Sequence, residues 1–337
     1  MTKRERVVNA IRHVQTDITP YNIGFTHQEH EKVAAFLGDP DFENKIGNHL
    51  SSVYYDGYLT EITPGSGYWR DDFGVVWNRN GADKDIGVID GCVLPEPSLL
   101  NYQFPVFDEK KLRQEYEALV NSADDTFRFG DIGFSMFERA WTLRGMENLL
   151  VDMITEPEFV DEVLDAITEY NLRIIDIALE YDIDGFHFGD DWGQQVGLIM
   201  GPNYWRRFIK PRMARMYSRV KSKGKFVSQH SCGDIHEVFP DLIEIGLNVY
   251  QTFQPEIYDL RKVKKEFGSY LTFWGGISTQ RLLPFATPEQ VKDKVRETMK
   301  IMNVNGGYIA APTHAVPGDV PPENIVAMME VFKEKIG

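Results

Sequence analysis

The sequence predicts an α/β fold, a (β/α)8 TIM barrel, on three observations. From about residue 183 onward, apolar strand-like runs alternate with helical stretches to give five strand-then-helix units. These runs are apolar on both faces, as parallel strands covered by helices must be and strands with one wet face are not. No Gly-x-Gly-x-x-Gly and no Walker-type loop follows any of them, so the dinucleotide-binding and P-loop versions of an α/β sheet lack their phosphate cradles. A chain of 337 residues holds a barrel of about 250 with insertions, and residues 1–337 are expected to form one such domain.

The elements follow in order. Met1 to Arg6 opens an amphipathic helix and lacks the apolar core of a secretory signal. Residues 20–25 are the first strand. Residues 53–105, rich in Tyr, Trp, Gly and Asp, break the rhythm. Within them, two β-prone runs at 73–79 and 84–89 flank Asn80-Gly81 and read as a hairpin. This stretch is expected to be a β-hairpin insertion covering the barrel mouth; ordinary β packing with no part in function is the alternative. Thr155-Glu-Pro-Glu158 reads as the cap of a long helix to about Tyr181, with Phe159, Val163, Ile167 and Ile174 near helical spacing. Residues 183–188 are a strand, and a helix follows from Pro202 with a kink at Pro211. Residues 225–229, 247–253, 271–274 and 306–311 are the later strands. Between and after them come helices: one starting at Asp234 with Glu237 and stopping at Gly246, one over 258–267, one from the capping box at Thr287 to Met302, and one from Pro321-Pro322.

Composition narrows the function. A net charge of −15 argues against a nucleic-acid surface or an anionic membrane surface, either of which calls for a basic patch. No apolar run approaches the roughly 20 residues of a membrane helix. Cys92 and Cys232 are the two cysteines, too few for a disulfide framework, and a cytoplasmic location with Cys232 as thiol or thiolate is expected.

His230 and Cys232 sit two residues apart at the end of a strand, where i and i+2 project from one face. Imidazole and thiolate side by side suit Zn²⁺, which takes them at about 2.0–2.3 Å. In a barrel of this type, side chains just after each strand gather at the C-terminal mouth. That places Asp190, Asp191, His230, Cys232, Gln254, Ser278, Gln280 and His314 over one cavity, with Glu138 reaching it from another strand end. Each has a plainer reading. His230 and Cys232 could be a hydrogen-bonded core histidine and a buried thiol. Asp190 and Asp191 could be turn or cap residues. Glu138-Arg139 could be a surface ion pair of little worth. His187, between Phe186 and Phe188, reads as structural, Cys92 as inert, and Trp274 beside Gly275-Gly276 as a packing residue as much as a substrate contact. His314, in a Pro-flanked loop, has no helix to cap and is the candidate third metal ligand.

From Gly185 to Asn324 the chain resembles the uroporphyrinogen decarboxylase superfamily, and within it the corrinoid-linked methyltransferase branch. The residues that carry the resemblance are Gly189-Asp-Asp-Trp192, His230-Ser-Cys-Gly233, Asp241-Leu-Ile-Glu-Ile-Gly246, Phe273-Trp-Gly-Gly-Ile-Ser-Thr-Gln280 and Pro321-Pro-Glu-Asn324, with weaker similarity from Glu138 to Gly145. The decarboxylases it resembles carry an arginine-rich N-terminal motif that pairs with substrate carboxylates. The corresponding stretch here, Tyr21 to Gln28, contains no arginine, which disfavours a polycarboxylated porphyrinogen as substrate. The methyltransferases bind zinc through a His-x-Cys pair and a later cysteine. The pair matches His230 and Cys232, and Thr313-His314-Ala315 stands where the later cysteine would be.

The resemblance therefore implies a Cys/His₂ zinc site of His230, Cys232 and His314, one unit more positive than with a second thiolate. Such a site favours polarising a leaving oxygen over activating a thiol acceptor. It implies a zinc-dependent methyltransferase acting between a small methoxylated donor and a separate corrinoid protein, since no cobalamin-binding Asp-x-His-x-x-Gly stretch is present. Glu138, Asp190 and Asp191 are then the candidate catalytic or ligand-supporting groups, and Gln254, Trp274 and Gln280 the candidate substrate contacts. A homodimer is expected from the same resemblance. A decarboxylase of another acid, or a non-catalytic ligand-binding or corrinoid-binding barrel, is the alternative.

Overall fold

Short apolar runs ending in glycine or polar residues, each followed by a helix with its own start signal, wind into a closed parallel barrel. The computed structural model describes residues 1–81, 85–122 and 124–335. Its strands are β1 (Leu50–Tyr55), β2 (Thr60–Glu61), β3 (Tyr68–Arg70), β4 (Val76–Asn78), β5 (Val88–Ile89), β6 (Phe127–Ile132), β7 (Gly185–Phe188), β8 (Phe226–His230), β9 (Val249–Thr252), β10 (Thr272–Ile277) and β11 (Tyr308–Pro312). β1 and β6 to β11 form one sheet in sequence order, and each neighbouring pair is parallel.

Residues 20–25 fill the eighth place. Tyr21 bridges Ala310 and Phe25 bridges Val316, both in parallel. The Asn22 amide donates to the Ala310 carbonyl at 3.1 Å, the Ala310 amide to Pro20 at 2.8 Å, and on the other side the His49 amide donates to Tyr21 at 3.0 Å. Pro20 has no N–H to give, and Ile23 meets the Asn48 side chain instead of a neighbouring backbone. The segment predicted as a full strand is therefore reduced to isolated bridges that close the ring.

The inner face carries Leu50, Phe127, Phe129, Val249, Trp274, Ile309 and Ala311, and the N-terminal helix Lys3–Ile11 plugs the bottom with Val7 and Ile11. Thr2 and Glu5 form its capping box. The larger core lies between the sheet and the outer helices, among them Pro157–Ala178, Lys210–Lys221, Pro288–Met302 and Pro322–Phe332. No helix among the described residues is long and apolar enough to cross a membrane.

Several local expectations are corrected. Thr155 does not cap the long helix. It ends the helix Met146–Thr155, its hydroxyl donating back to Val151 at 3.2 Å, and Pro157 starts the next helix, which stops at Ala178. Pro211 causes no break, because a π turn over Trp205–Ile209 precedes it and the helix runs on to Lys221. Asp234 and Glu237 do not open an α-helix directly. Asp234 accepts from the His236 amide at 3.1 Å, a short 3₁₀ turn His236–Val238 follows, and Phe239–Glu244 is the helix.

Residues 53–55, counted in the insertion from sequence, belong to barrel strand β1. The insertion itself is a four-stranded antiparallel sheet in the order β2-β3-β4-β5. The hairpin is its β4–β5 pair, with Trp77 opposite Ile89 and Asn78 opposite Val88. That register leaves a longer connection than an Asn-Gly turn would make. Lys84, the start of the second run, lies outside the described residues. Because the insertion leaves from the C-terminal end of β1, it lies over the mouth, where Trp77 stacks on Phe134 just beyond β6 at 5.6 Å and 19°.

Candidate metal centre at the barrel mouth

β8 delivers His230 at its last position, and the chain then turns through Ser231, Cys232 and Gly233. Gly233 has φ 78°, and a Cβ there would fall 2.2 Å from the carbonyl carbon of Gly193. Only glycine lets this loop lie against the loop after β7. Gln254, a candidate substrate contact, supports the turn, its Oε1 accepting from the Gly233 amide at 2.9 Å. His314 follows β11 in the loop that closes the ring.

These loops bring together three donors. One ligand atom each from His230, Cys232 and His314 lie within 4.8 Å of one another. His230 Nε2 is 3.6 Å from Cys232 Sγ. A tetrahedral zinc with bond lengths of about 2.0 and 2.3 Å separates such atoms by about 3.5 Å, so the pair already has the required spacing. Both cysteines are free thiols.

The surroundings set ring orientation and charge. Gln251 on β9 hydrogen-bonds His230 Nδ1 through its Oε1, so a neutral ring carries its proton there and turns the Nε2 lone pair to the donor cluster. Asp191 Oδ1 accepts from the Cys232 amide at 2.7 Å and lies 3.2 Å from His230 Nε2. Burial alone would raise the Asp191 carboxyl, but the His230 pair and the Cys232 amide bring it below its usual value. Burial works against charge on His230 as well; the same pair and the neighbouring thiol outweigh it and raise the imidazole. Burial, then the charge of His230, lowers His314.

Glu138 reaches this group from the first turn of the helix Phe137–Arg144, its Oε2 accepting from the Asp191 amide at 3.0 Å. Burial, and next the charges of Asp191 and Asp190, push it well above the carboxylate range. Asp190 is fully buried, with its oxygens taken by the amides of Phe137 at 2.9 Å and Glu138 at 2.7 Å and by the Trp192 indole. It therefore satisfies the first amides of that helix from outside it.

Trp274 stacks on Phe129 at 6.1 Å and 6°, and His187, its Nδ1 2.8 Å from Ser228 Oγ, packs beside it. These rings form a floor beneath His230. Burial holds His187 down to about 3, so it stays neutral there. Gln280 is exposed beyond β10, and Ser278 accepts from the amides of Arg281 and Leu282. Cys92 donates to the carbonyls of Leu143 and Arg144 at the barrel's flank.

Three residues of this region escaped the sequence reading: Gln251, Asp131 and Tyr54. Asp131 lies on the inner face of β6, in step with Phe127 and Phe129. Burial, opposed by the charge of His230, lifts its carboxyl to about 7. A polar residue at an inward register of a buried strand was the available signal.

Residues 134–335 match the family profile described as uroporphyrinogen decarboxylase (URO-D). A methylated-thiol–coenzyme M methyltransferase from Methanosarcina mazei is 26% identical over 200 residues, 59% of this chain and 51% of that protein. A uroporphyrinogen decarboxylase from Chlorobaculum tepidum is 21% identical over 194 residues, 54% of this chain and 51% of that protein. The chain spans about half the length of the curated relatives it matches. A solved methyltransferase from Methanosarcina mazei covers 98% of each chain with a TM-score of 0.73 at 17% identity, a likeness of fold.

Proposed function

The chain belongs to the uroporphyrinogen decarboxylase (URO-D) family, and from that premise we propose that it is a zinc-dependent methyltransferase moving a methyl group between a small methoxylated substrate and a separate corrinoid protein. The observation that carries this reading is the convergence of His230, Cys232 and His314 to within 4.8 Å. Two imidazoles and a thiolate are a borderline-soft donor set that suits zinc, and three protein donors leave a place for a substrate atom. When bound, the ion would supply a Lewis acid that polarises the ether oxygen as its methyl group departs.

The chain's own groups do the rest. Gln251 fixes the His230 ring, and Asp191 holds the His230–Cys232 turn through the Cys232 amide. Glu138 engages the Asp191 amide through Oε2, leaving Oε1 to carry the proton that burial and its acidic neighbours keep on it. That proton is available to a leaving alkoxide. The same acids argue against a polycarboxylated substrate. Asp56, Asp131, Glu138 and Asp191 crowd the mouth, and the Arg139 guanidinium is already shared by Asp56 and Asp71. The methyltransferase named among the relatives lends support to methyl transfer, and the corrinoid partner enters through the resemblance read from the sequence.

Metal analysis of the purified protein is expected to give about one zinc per chain, with close to none in Cys232→Ser or His314→Ala. A folded wild-type chain that binds no zinc overturns the reading. With zinc present, adding a reduced corrinoid protein and a panel of methoxylated donors should change the cobalt absorption spectrum. A flat spectrum across the panel removes the methyl-transfer step.

A further inference from the structure

The end of the barrel opposite the metal centre has a cavity of about 850 Å³, within the range of small-molecule sites. It lies where the helices Leu260–Phe267 and Pro288–Met302 finish and the chain turns towards β10 and β11. His13, Arg261, Lys264, Lys265 and Lys300 line it, and Glu297 is the one acid among its described lining residues. The whole chain has 51 Asp and Glu against 36 Lys and Arg. A wall of four cations to one acid therefore reverses the balance of the molecule.

That acid does not neutralise the wall. Lys294 holds Glu297 Oε2 at 2.9 Å, and Arg261 stands 3.7 Å from Oε1. Among the described residues no carboxylate pairs with Lys264, Lys265 or Lys300. Lys264 instead donates to the Gly306 carbonyl at 2.7 Å, on the turn before β11. Burial lowers its ammonium to about 8, a cost that a neighbouring anion would offset.

His13 stands beside it, with a buried Nδ1 that meets no partner among the described residues. A Cβ on Gly307, at φ 67°, would fall 2.6 Å from that nitrogen and 3.1 Å from Lys264 Nζ. Both groups thus crowd one glycine, and burial and then the charge of Lys264 lower the imidazole.

Helix C-termini attract cations, which accounts for basic residues in these last turns. It does not account for a ligand-sized space among them, with Ile301 and Val304 as an apolar wall. A guanidinium fork matches a carboxylate, whereas several ammonium groups act as point charges that suit the clustered oxygens of a phosphate.

We propose that this cavity binds a small phosphorylated molecule, its phosphate held by Lys264, Lys265 and Lys300 and its organic part against Ile301 and Val304. The site is separate from the metal centre and does not depend on methyl transfer. Calorimetric titration of the full chain with inorganic pyrophosphate at low ionic strength is expected to show one site per chain. Lys265→Ala and Lys300→Ala should each weaken it by about fivefold, and the double variant by about 20-fold. Lys110→Ala combined with Lys223→Ala removes two exposed ammonium groups elsewhere and should leave the affinity unchanged. Citrate should bind at least about fivefold more weakly than pyrophosphate. Circular dichroism confirms that each variant is folded.

No binding of pyrophosphate at millimolar concentration overturns the proposal, as does wild-type affinity in the Lys265 and Lys300 variants. Equal weakening in the Lys110 and Lys223 pair would assign the binding to general charge attraction and overturn it too. Citrate bound as tightly as pyrophosphate would remove the phosphate class.

Discussion

Gln251 shows how little of a site's support is written where the donors are. His230 and Cys232 are neighbours in sequence, so strand alternation puts them side by side without knowledge of the fold. His314 needs the last strand of the barrel to bring it back, and only its odd loop position and the family resemblance marked it. Gln251 had no such marker. Between Tyr250 and Thr252 it reads as one polar residue in an apolar run, yet its Oε1 sets which nitrogen of His230 is free. Gln251→Leu is expected to keep the fold and weaken zinc binding by about 10- to 100-fold, read by competition with a chelator. An unchanged affinity would assign the ring's orientation to Asp191 and Cys232 instead. Asp131 was hidden for a related reason. Gly130-Asp131 looks like a turn, and only its inward register beside Phe129 makes it a half-buried acid of the barrel interior.

Among the elements, the later β/α units could be read because each has an apolar strand and a chemically marked helix start. β1 and β6 were passed over: Leu50–Tyr55 mixes serines with tyrosines, and Phe127–Ile132 carries an arginine, a glycine and an aspartate. The insertion was half legible. Its hairpin has alternating apolar residues, but β2 and β3 span two and three residues, too few for any period to show. What anchors this sheet is Arg139, given from sequence the plainer alternative of a surface pair. It is buried, donates to Asp71 and Asp56, and lies 4.0 Å from the Phe73 ring. Asp71 in turn accepts from the Val75 amide at 2.9 Å and the Trp77 indole at 3.3 Å. Arg139→Met would leave two acids without their cation, a loss of about 3–5 kcal/mol expected in urea unfolding. A loss below about 1 kcal/mol would mean that the apolar contacts of Phe73 and Trp77 hold the insertion by themselves.

At the scale of the whole molecule, the barrel was predictable because its period is long and repeated, whereas its closure was not. The joint is made by residues 20–25, and His49 stands beside it. The His49 ring is buried, 4.6 Å from that of Tyr21, with the Arg6 guanidinium 3.4 Å from Nε2. Burial, then the charges of Arg6 and Lys3, lowers His49 to about 4. The unfolded chain therefore takes up a proton near pH 6.5 that the folded chain refuses until about pH 4. The resulting stability is fully present above pH 6.5 and is lost as pH falls to about 4, by about 3 kcal/mol. His49→Gln should flatten that slope in urea titrations at successive pH values, and an equal slope in both proteins would refute the assignment.

The same joint has a mechanical meaning. A cylinder whose eighth stave is pinned by a few backbone bonds at Tyr21, Asn22 and Ala310 has a preferred line of rupture. The Asn22 and Ala310 amides should trade hydrogen for deuterium sooner than those of β7 and β8, and thermal breathing would then open the molecule along the flank where His314 leaves β11.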